Sequence, residues 1–191
     1  DLALGVYVAD MDGDGDMDVV SASSDDDTIA WYENDGAADP SFAAHDIATN
    51  ADGAWGVFVA DMDGDGDMDI LSASYLDDTI AWYENDGAAD PSFTASDIAT
   101  DADGASSVFA ADMDGDGDMD ILSANRYEKT VTWYENDGAA DPTWIGSDIE
   151  TNEHYVNTVF AADMDGDGDM DIVSAAEGDL ITWYENDGAG D

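Results

Sequence analysis

Five carboxylates fall within nine residues at Asp10-Met11-Asp12-Gly13-Asp14-Gly15-Asp16-Met17-Asp18. The same nine residues return at 61–69, 112–120 and 163–171, each time 51 residues on. Carboxylates packed this closely can share protons for acid/base work, or they can hold a hard cation. The spacing favours the cation. Side-chain oxygens at loop positions 1, 3, 5 and 9 suit Ca²⁺, which takes about six to eight oxygen ligands. Glycine at position 6 lets the backbone turn sharply around the ion. Without a dication, the neighbouring carboxylates repel one another. Mg²⁺ keeps several of its waters and uses few protein carboxylates, so Ca²⁺ is the expected ion, about four per chain and one per repeat. The candidate metal residues are Asp10, Asp12, Asp14, Asp16 and Asp18 in the first loop, and Asp61, Asp63, Asp65, Asp67 and Asp69 in the second. The third contributes Asp112, Asp114, Asp116, Asp118 and Asp120, and the fourth Asp163, Asp165, Asp167, Asp169 and Asp171.

An EF-hand opens with the same residues but needs Glu at position 12 and a helix on either side. Position 12 is Ser21, Ser72, Ser123 and Ser174. The flanks, Gly5-Val6-Tyr7-Val8-Ala9 and Val19-Val20-Ser21-Ala22, are short, β-branched and bounded by turn residues. They read as strands, so the loop joins two strands and the EF-hand is rejected.

Self-similarity at a period near 50 residues marks a solenoid, propeller or array. The boundaries fall at 1–51, 52–102, 103–153 and 154–191, within one all-β domain spanning 1–191. In the first repeat the expected strands are A (Gly5–Ala9), B (Asp18–Ser23), C (Thr28–Glu33) and D (Phe42–Thr49). Asn34-Asp35-Gly36 is a turn signal between C and D, echoed at Asn85, Asn136 and Asn186. Strands A to C are apolar on both faces, so each sheet needs a layer above and below it. Four-stranded blades stacked radially as a β-propeller meet that need. Trp31, Trp82, Trp133 and Trp183 recur at one strand position and are expected in the core. The eight methionines, at loop positions 2 and 8, are expected to pack each loop to its own or a neighbouring blade. His45 and His154 have no counterparts in other repeats and are expected to be solvated.

The chain carries 49 acidic residues against 2 basic ones, Arg126 and Lys129, for a net charge of −47. Four dications neutralise only a small part of that. Such a surface repels nucleic acid and anionic membranes, and self-repulsion demands screening by salt. The composition points to a saline, marine or cation-rich extracellular setting. No run approaches the ~18 apolar residues of a membrane-spanning helix, so no membrane insertion is expected. No basic-then-apolar leader opens the chain, which reads as a mature product or an excised piece. There are no cysteines, so bound metal takes the stabilising role disulfides play elsewhere.

The motif Asp-x-Asp-x-Asp-Gly-x-x-Asp between two strands, followed by Ile-Ala-Trp-Tyr-Glu-Asn-Asp-Gly, resembles the FG-GAP/VCBS repeat of integrin-type β-propellers. The resemblance covers essentially the whole chain. It implies four-stranded blades with calcium in the A–B loop, in secreted or cell-surface proteins that adhere or bind ligands; for this chain a bacterial source is expected. It also implies side-chain oxygens from positions 1, 3, 5 and 9 and a backbone carbonyl from position 7, which is Asp16 in the first loop. The family commonly has seven blades, whereas this chain has four repeats and the last lacks strand D. The opening Asp1-Leu2-Ala3-Leu4 resembles Asp46-Ile47-Ala48-Thr49 and could supply that outer strand, closing a four-bladed ring. Alternatively the open edge pairs with another copy, giving a dimeric eight-bladed ring, a fibre or another homo-oligomer.

Alternating strands put the calcium loops and the Asn-Asp-Gly turns at one end of each blade. The B–C loops and the D-to-A connections share the other end, where the repeats differ in sequence. A constant face beside a variable one reads as scaffold and binding surface. Trp55, Tyr75, Arg126, Tyr127, His154 and Tyr155 are the candidates there for contact with a glycan or protein ligand. No nucleophile–base pair can be assembled from the sequence, so the expectation is a non-enzymatic module. It is either a calcium-stabilised adhesion or ligand-binding module or a self-assembling subunit of an extracellular fibre or surface layer.

Overall fold

The computed structural model describes residues 2–139, 142–151 and 154–188. These form four antiparallel sheets in chain order, each built from consecutive strands. Sheet I holds β1 (Ala3–Ala9), β2 (Asp18–Ser23), β3 (Thr28–Asn34) and β4 (Phe42–Ala48). Sheet II holds β5 (Ala54–Ala60), β6 (Asp69–Ser74), β7 (Thr79–Asn85) and β8 (Phe93–Ala99). Sheet III holds β9 (Ala105–Ala111), β10 (Asp120–Asn125), β11 (Thr130–Asn136) and β12 (Trp144–Thr151). Sheet IV has three strands, β13 (Val156–Ala162), β14 (Asp171–Ala176) and β15 (Leu180–Tyr184).

Period-2 alternation assigns the two faces of every inner strand. Val57 and Val59 of β5 turn back toward sheet I, where they meet Val20, Ile29, Trp31 and Met11 in one buried cluster. Phe58 and Ala60 turn forward toward sheet III, joining Leu71, Ile80, Trp82, Val108 and Ala110. The same exchange recurs between sheets III and IV, around Met113, Leu122, Val131, Val159 and Ala161. Each sheet thus has a leading face, met by the sheet before it, and a trailing face, met by the sheet after it. Burying one Ile or Val side chain contributes about 1.5–3 kcal/mol.

The inner strands run side by side. Tyr7, Phe58, Phe109 and Phe160 form a continuous aromatic row across all four sheets, with successive ring centroids 4.8, 4.6 and 4.5 Å apart. Gly5 permits the approach of sheet I to sheet II, since a Cβ there would lie 2.8 Å from the Trp55 carbonyl.

Four readings of the sequence need correction, two of them alternatives left open. The opening segment does not supply an outer strand for sheet IV. Ala3 pairs with Ser23 across a bulge, so the chain enters directly into inner strand β1; Asp1 lies outside the described residues. The four sheets do not close on one another as a four-bladed ring. Val6 and Val8 on the leading face of sheet I are 68% and 52% exposed, and Ile181 on the trailing face of sheet IV is 78% exposed. Faces that covered each other would be dry. For the same reason Trp183 is exposed, while Trp31 and Trp82 are buried. His45, finally, is not simply solvated: it stacks on Trp31 at 4.7 Å and reaches Glu33 Oε2 at 3.1 Å.

Candidate metal centre

Each nine-residue loop joins the first two strands of its sheet and folds around its own carboxylates. In the first loop the amide of Gly15 donates to Asp10 Oδ2 at 3.0 Å, that of Asp14 to Asp12 Oδ1 at 3.1 Å, and that of Asp16 to Asp14 Oδ1 at 2.8 Å. Such side-chain-to-backbone turns are what Asp does in tight loops. They gather the acids. Oxygens of Asp10, Asp12 and Asp18 lie within 4.8 Å of one another, as do those of Asp61, Asp63 and Asp65, of Asp112, Asp114 and Asp116, and of Asp163, Asp165 and Asp167. Gly13 and Gly15 take left-handed backbone angles, φ 74° and 95°, that keep the loop this tight.

The cages fit a cation. Asp10 Oδ1 is buried and has no hydrogen-bond partner among the described residues, a costly state for a carboxylate oxygen that an ion would relieve. Burial raises the carboxyls of Asp12, Asp63 and Asp165, and their neighbouring carboxylates raise them further against the pull of backbone amides. A hard cation coordinated by these oxygens reverses that balance.

The position-9 carboxylates have a second task. Asp18 accepts from the amide of Met11 at 3.1 Å and from that of Asn34 at 2.8 Å, tying the loop to the end of β3. Its counterparts Asp69, Asp120 and Asp171 do the same. Burial pushes the carboxyls of Asp69 and Asp120 up to about 6, even though each accepts two backbone amides. In the terminal sheet the amide of Asn186 instead holds Asp171 below the usual carboxylate range.

The position-7 carboxylates point elsewhere. Those of Asp16, Asp67, Asp118 and Asp169 pack against the turn glycines Gly36, Gly87, Gly138 and Gly188.

Sequence reading took Asn34, Asn85, Asn136 and Asn186 as turn residues and missed their side chains. Asn85 Nδ2 donates to the Met68 carbonyl of its own loop at 3.0 Å and to the Met11 carbonyl of the preceding loop at 2.9 Å. Asn136 and Asn186 repeat this toward Met62 and Met113. The recurrence of Asn beside loops of fixed length was the signal available.

The model of the FG-GAP-like repeat matches residues 10–72, 61–123 and 112–174, which run together over most of the sequence. The chain belongs to the FG-GAP-like repeat family. No curated protein matches it in sequence. The FG-GAP-like chain is similar in fold to the Vibrio cholerae biofilm matrix protein Bap1, with a TM-score of 0.51 and 19% identity. That match covers 97% of this chain but 31% of Bap1, so the chain spans about a third of that protein's length. A functionally unknown protein from Desulfotomaculum acetoxidans aligns at a TM-score of 0.45 and 11% identity, over 96% of this chain and 69% of the other.

At the opposite end of the FG-GAP-like sheets, the B–C turns grip the connection into the next sheet. Asp27, with φ 56°, accepts from the amide of Gly53 at 2.9 Å, and Asp78 accepts from Gly104 at 2.9 Å. This framework brings most of the candidate ligand residues into one row. The ring centroids of Trp55 and Tyr75 are 4.9 Å apart, those of Tyr75 and Tyr127 5.2 Å, and those of Tyr127 and Tyr155 6.2 Å. Arg126 and Lys129 lie 5.6 and 5.3 Å from the Tyr155 ring centroid. Burial and the neighbouring Tyr127 push the Tyr75 hydroxyl up to about 12. Arg126 is also engaged by Asn157 and Glu177, so its guanidinium bridges sheets III and IV. His154, which precedes Tyr155 in the chain, is exposed.

Proposed function

We propose that this chain is a calcium-stabilised, non-enzymatic module of an extracellular or cell-surface protein, working in adhesion or ligand binding. Each loop takes one Ca²⁺ through Asp10, Asp12, Asp14 and Asp18 or their equivalents, with the position-7 backbone completing the shell. The sheets follow the blade geometry of a β-propeller arc. A secreted bacterial protein of saline surroundings fits the charge, which cations screen there. The similarity to a biofilm matrix protein supports the same setting.

The observation that carries the binding role is the aromatic row Trp55–Tyr75–Tyr127–Tyr155, which crosses three sheets at the variable end. Tyr127 and Tyr155 are exposed, and aromatic faces of this kind stack on sugar rings or anchor a protein partner. The net charge of −47 favours a neutral or cationic glycan over an anionic one. A glycan array tests this with the parent chain and with Tyr127→Ala/Tyr155→Ala. Loss of binding with unchanged melting temperature supports the reading; retained binding contradicts it.

A further inference from the structure

Sheet III carries a polar recess on the face it turns toward sheet II; Tyr134 and Ala102, which line it, belong to the cluster those two sheets share. Its volume is about 280 Å³, near the lower end of the range for small-molecule sites. Asn125, Thr132 and Tyr134 form a buried floor, to which Gly146 of β12 adds no side chain. Three carboxylates line the rim from separate elements: Asp101 in the β8–β9 connection, Glu128 in the β10–β11 turn and Asp148 on β12.

The floor is wired in one direction. Ser123 Oγ donates to Asn125 Oδ1 at 2.9 Å, Asn125 Nδ2 donates to Thr132 Oγ1 at 3.0 Å, and Thr132 Oγ1 donates to Asp148 Oδ1 at 2.9 Å. The second amide proton of Asn125 goes to Thr130 Oγ1 at 3.1 Å. These donors are consumed on one another and on Asp148, so the rim offers an occupant acceptors. The wiring is particular to sheet III. At the equivalent register positions of sheets I and II, Ser23 and Ser74 stand for Asn125, Ala30 and Ala81 for Thr132, and Ala44 and Ala95 for Gly146.

The rim also carries unbalanced charge. Partial burial raises the Glu128 carboxyl, and the negative charges of Asp148, Asp101 and Asp103 raise it further. A single metal ion does not answer this. Among the described residues, the acids whose oxygens gather within 4.8 Å of one another are the four loop sets, and the rim is not one of them. An occupant must be cationic and must reach acceptors on several sides at once.

We infer that this recess binds an amino sugar, its protonated primary amine and neighbouring hydroxyls donating to Asp148, Glu128 and Asp101. A polyhydroxy amine brings a donor to each rim carboxylate, whereas a lysine side chain brings one ammonium on a bare stem. Hydrogen bonds from a charged donor to a carboxylate are among the strong ones. The recess uses no residue of the row from Trp55 to Tyr155 and stands independently of it.

The test is calorimetric titration of the whole chain with glucosamine, N-acetylglucosamine and Nα-acetyl-lysine amide. Millimolar Ca²⁺ keeps the loops filled, and molar NaCl screens the general acidic surface. The expected result is one glucosamine per chain, with N-acetylglucosamine, which lacks the charge, weaker by about tenfold or more. Glu128→Gln/Asp148→Asn should weaken glucosamine by a similar factor. So should Asn125→Ser/Thr132→Ala, which installs the residues that sheet II already holds at these positions and should leave the melting temperature unchanged. Glucosamine binding that is absent, or that is unchanged in either variant, would overturn the proposal. Binding of the lysine derivative as tight as that of glucosamine would overturn the assignment to a sugar.

Discussion

The side-chain amide of Asn85 donates to the main-chain carbonyl of Met11 at 2.9 Å, across 74 residues of sequence. One residue thereby fastens the acidic loop of sheet I to the end of β7 in sheet II. Its second donation, to Met68, holds its own loop in place. Order in the carboxylate loops and packing between sheets are therefore one property. Whatever stabilises the loops stabilises the stack.

Replacing Asn85 by Ala leaves the buried Met11 carbonyl and the part-buried Met68 carbonyl without their donor, at a cost of about 1–3 kcal/mol. Asn34→Ala removes only the bond to Met17 at a more exposed site, so it should cost clearly less. Denaturant unfolding of the two variants in saturating Ca²⁺ gives the comparison.

Met62 is buried between sheets II and III, while Met164 is exposed. Met62→Ala should cost about 2–5 kcal/mol, as core truncations do. Met164→Ala in the monomer should lie within about 0.5 kcal/mol of the parent. Thermal melting of the pair distinguishes methionines that pack from methionines that merely recur.

At Gly5 an added Cβ would meet the Trp55 carbonyl at 2.8 Å and the Val57 amide nitrogen at 3.0 Å, both rigid backbone atoms. Gly5→Ala must push sheet I away from sheet II, at a cost of about 1–3 kcal/mol. The loss should appear in the melting temperature, with Tyr7–Phe58 contact weakened in the near-ultraviolet circular dichroism.

Asp69 and Asp120 have carboxyls raised from 3.8 to about 6 by burial. A carboxyl raised in the fold favours the folded state when protonated. In the metal-free protein that advantage is full below pH 3.8 and is lost as pH rises through about 6. Calcium must displace the same protons, so its affinity should climb between pH 5 and pH 7. Asp35, Asp86 and Asp137 act oppositely: hydrogen bonds from Ser41, Ser92 and Thr143 hold them low, and their contribution fades as pH falls below the ordinary carboxylate range. Calorimetric titration at several pH values, with proton release followed in weak buffer, checks the sign. An affinity that is flat across this window would count against the assignment.

Much of the fold was legible because the repeats leave little ambiguity. A nine-residue acidic loop between β-branched runs can only join strands, and β2 fell at Asp18–Ser23 as expected. The acid cages were legible too, since the loop's own turns bring the carboxylates together. Relations between sheets were not. Whether Leu4 belongs to an inner or an outer strand depends on pairing with β2, which local pattern does not encode. The exposure of Trp183 depends on what packs over its sheet rather than on its own strand, which keeps the Ile, Trp and Tyr found around the buried Trp31. The side-chain roles of Asn85 and Asp67 lie in contacts that turn propensity alone does not reveal. Trp55, Tyr75, Tyr127 and Tyr155 were singled out only because their loops vary; that their rings line up across three sheets depends on the packing between sheets.

The central claim is that four calcium ions hold the stack together. Binding restricted to the folded state adds about 2.7 kcal/mol per site at a hundredfold excess over Kd, and four such sites rival the stability of a typical domain. The most direct measurement is calorimetric titration of the decalcified chain with Ca²⁺, with melting temperature followed at each addition in low salt. The account predicts close to four ions per chain and a melting temperature that rises with each. A chain that binds no calcium, or melts at the same temperature with and without it, would contradict the account.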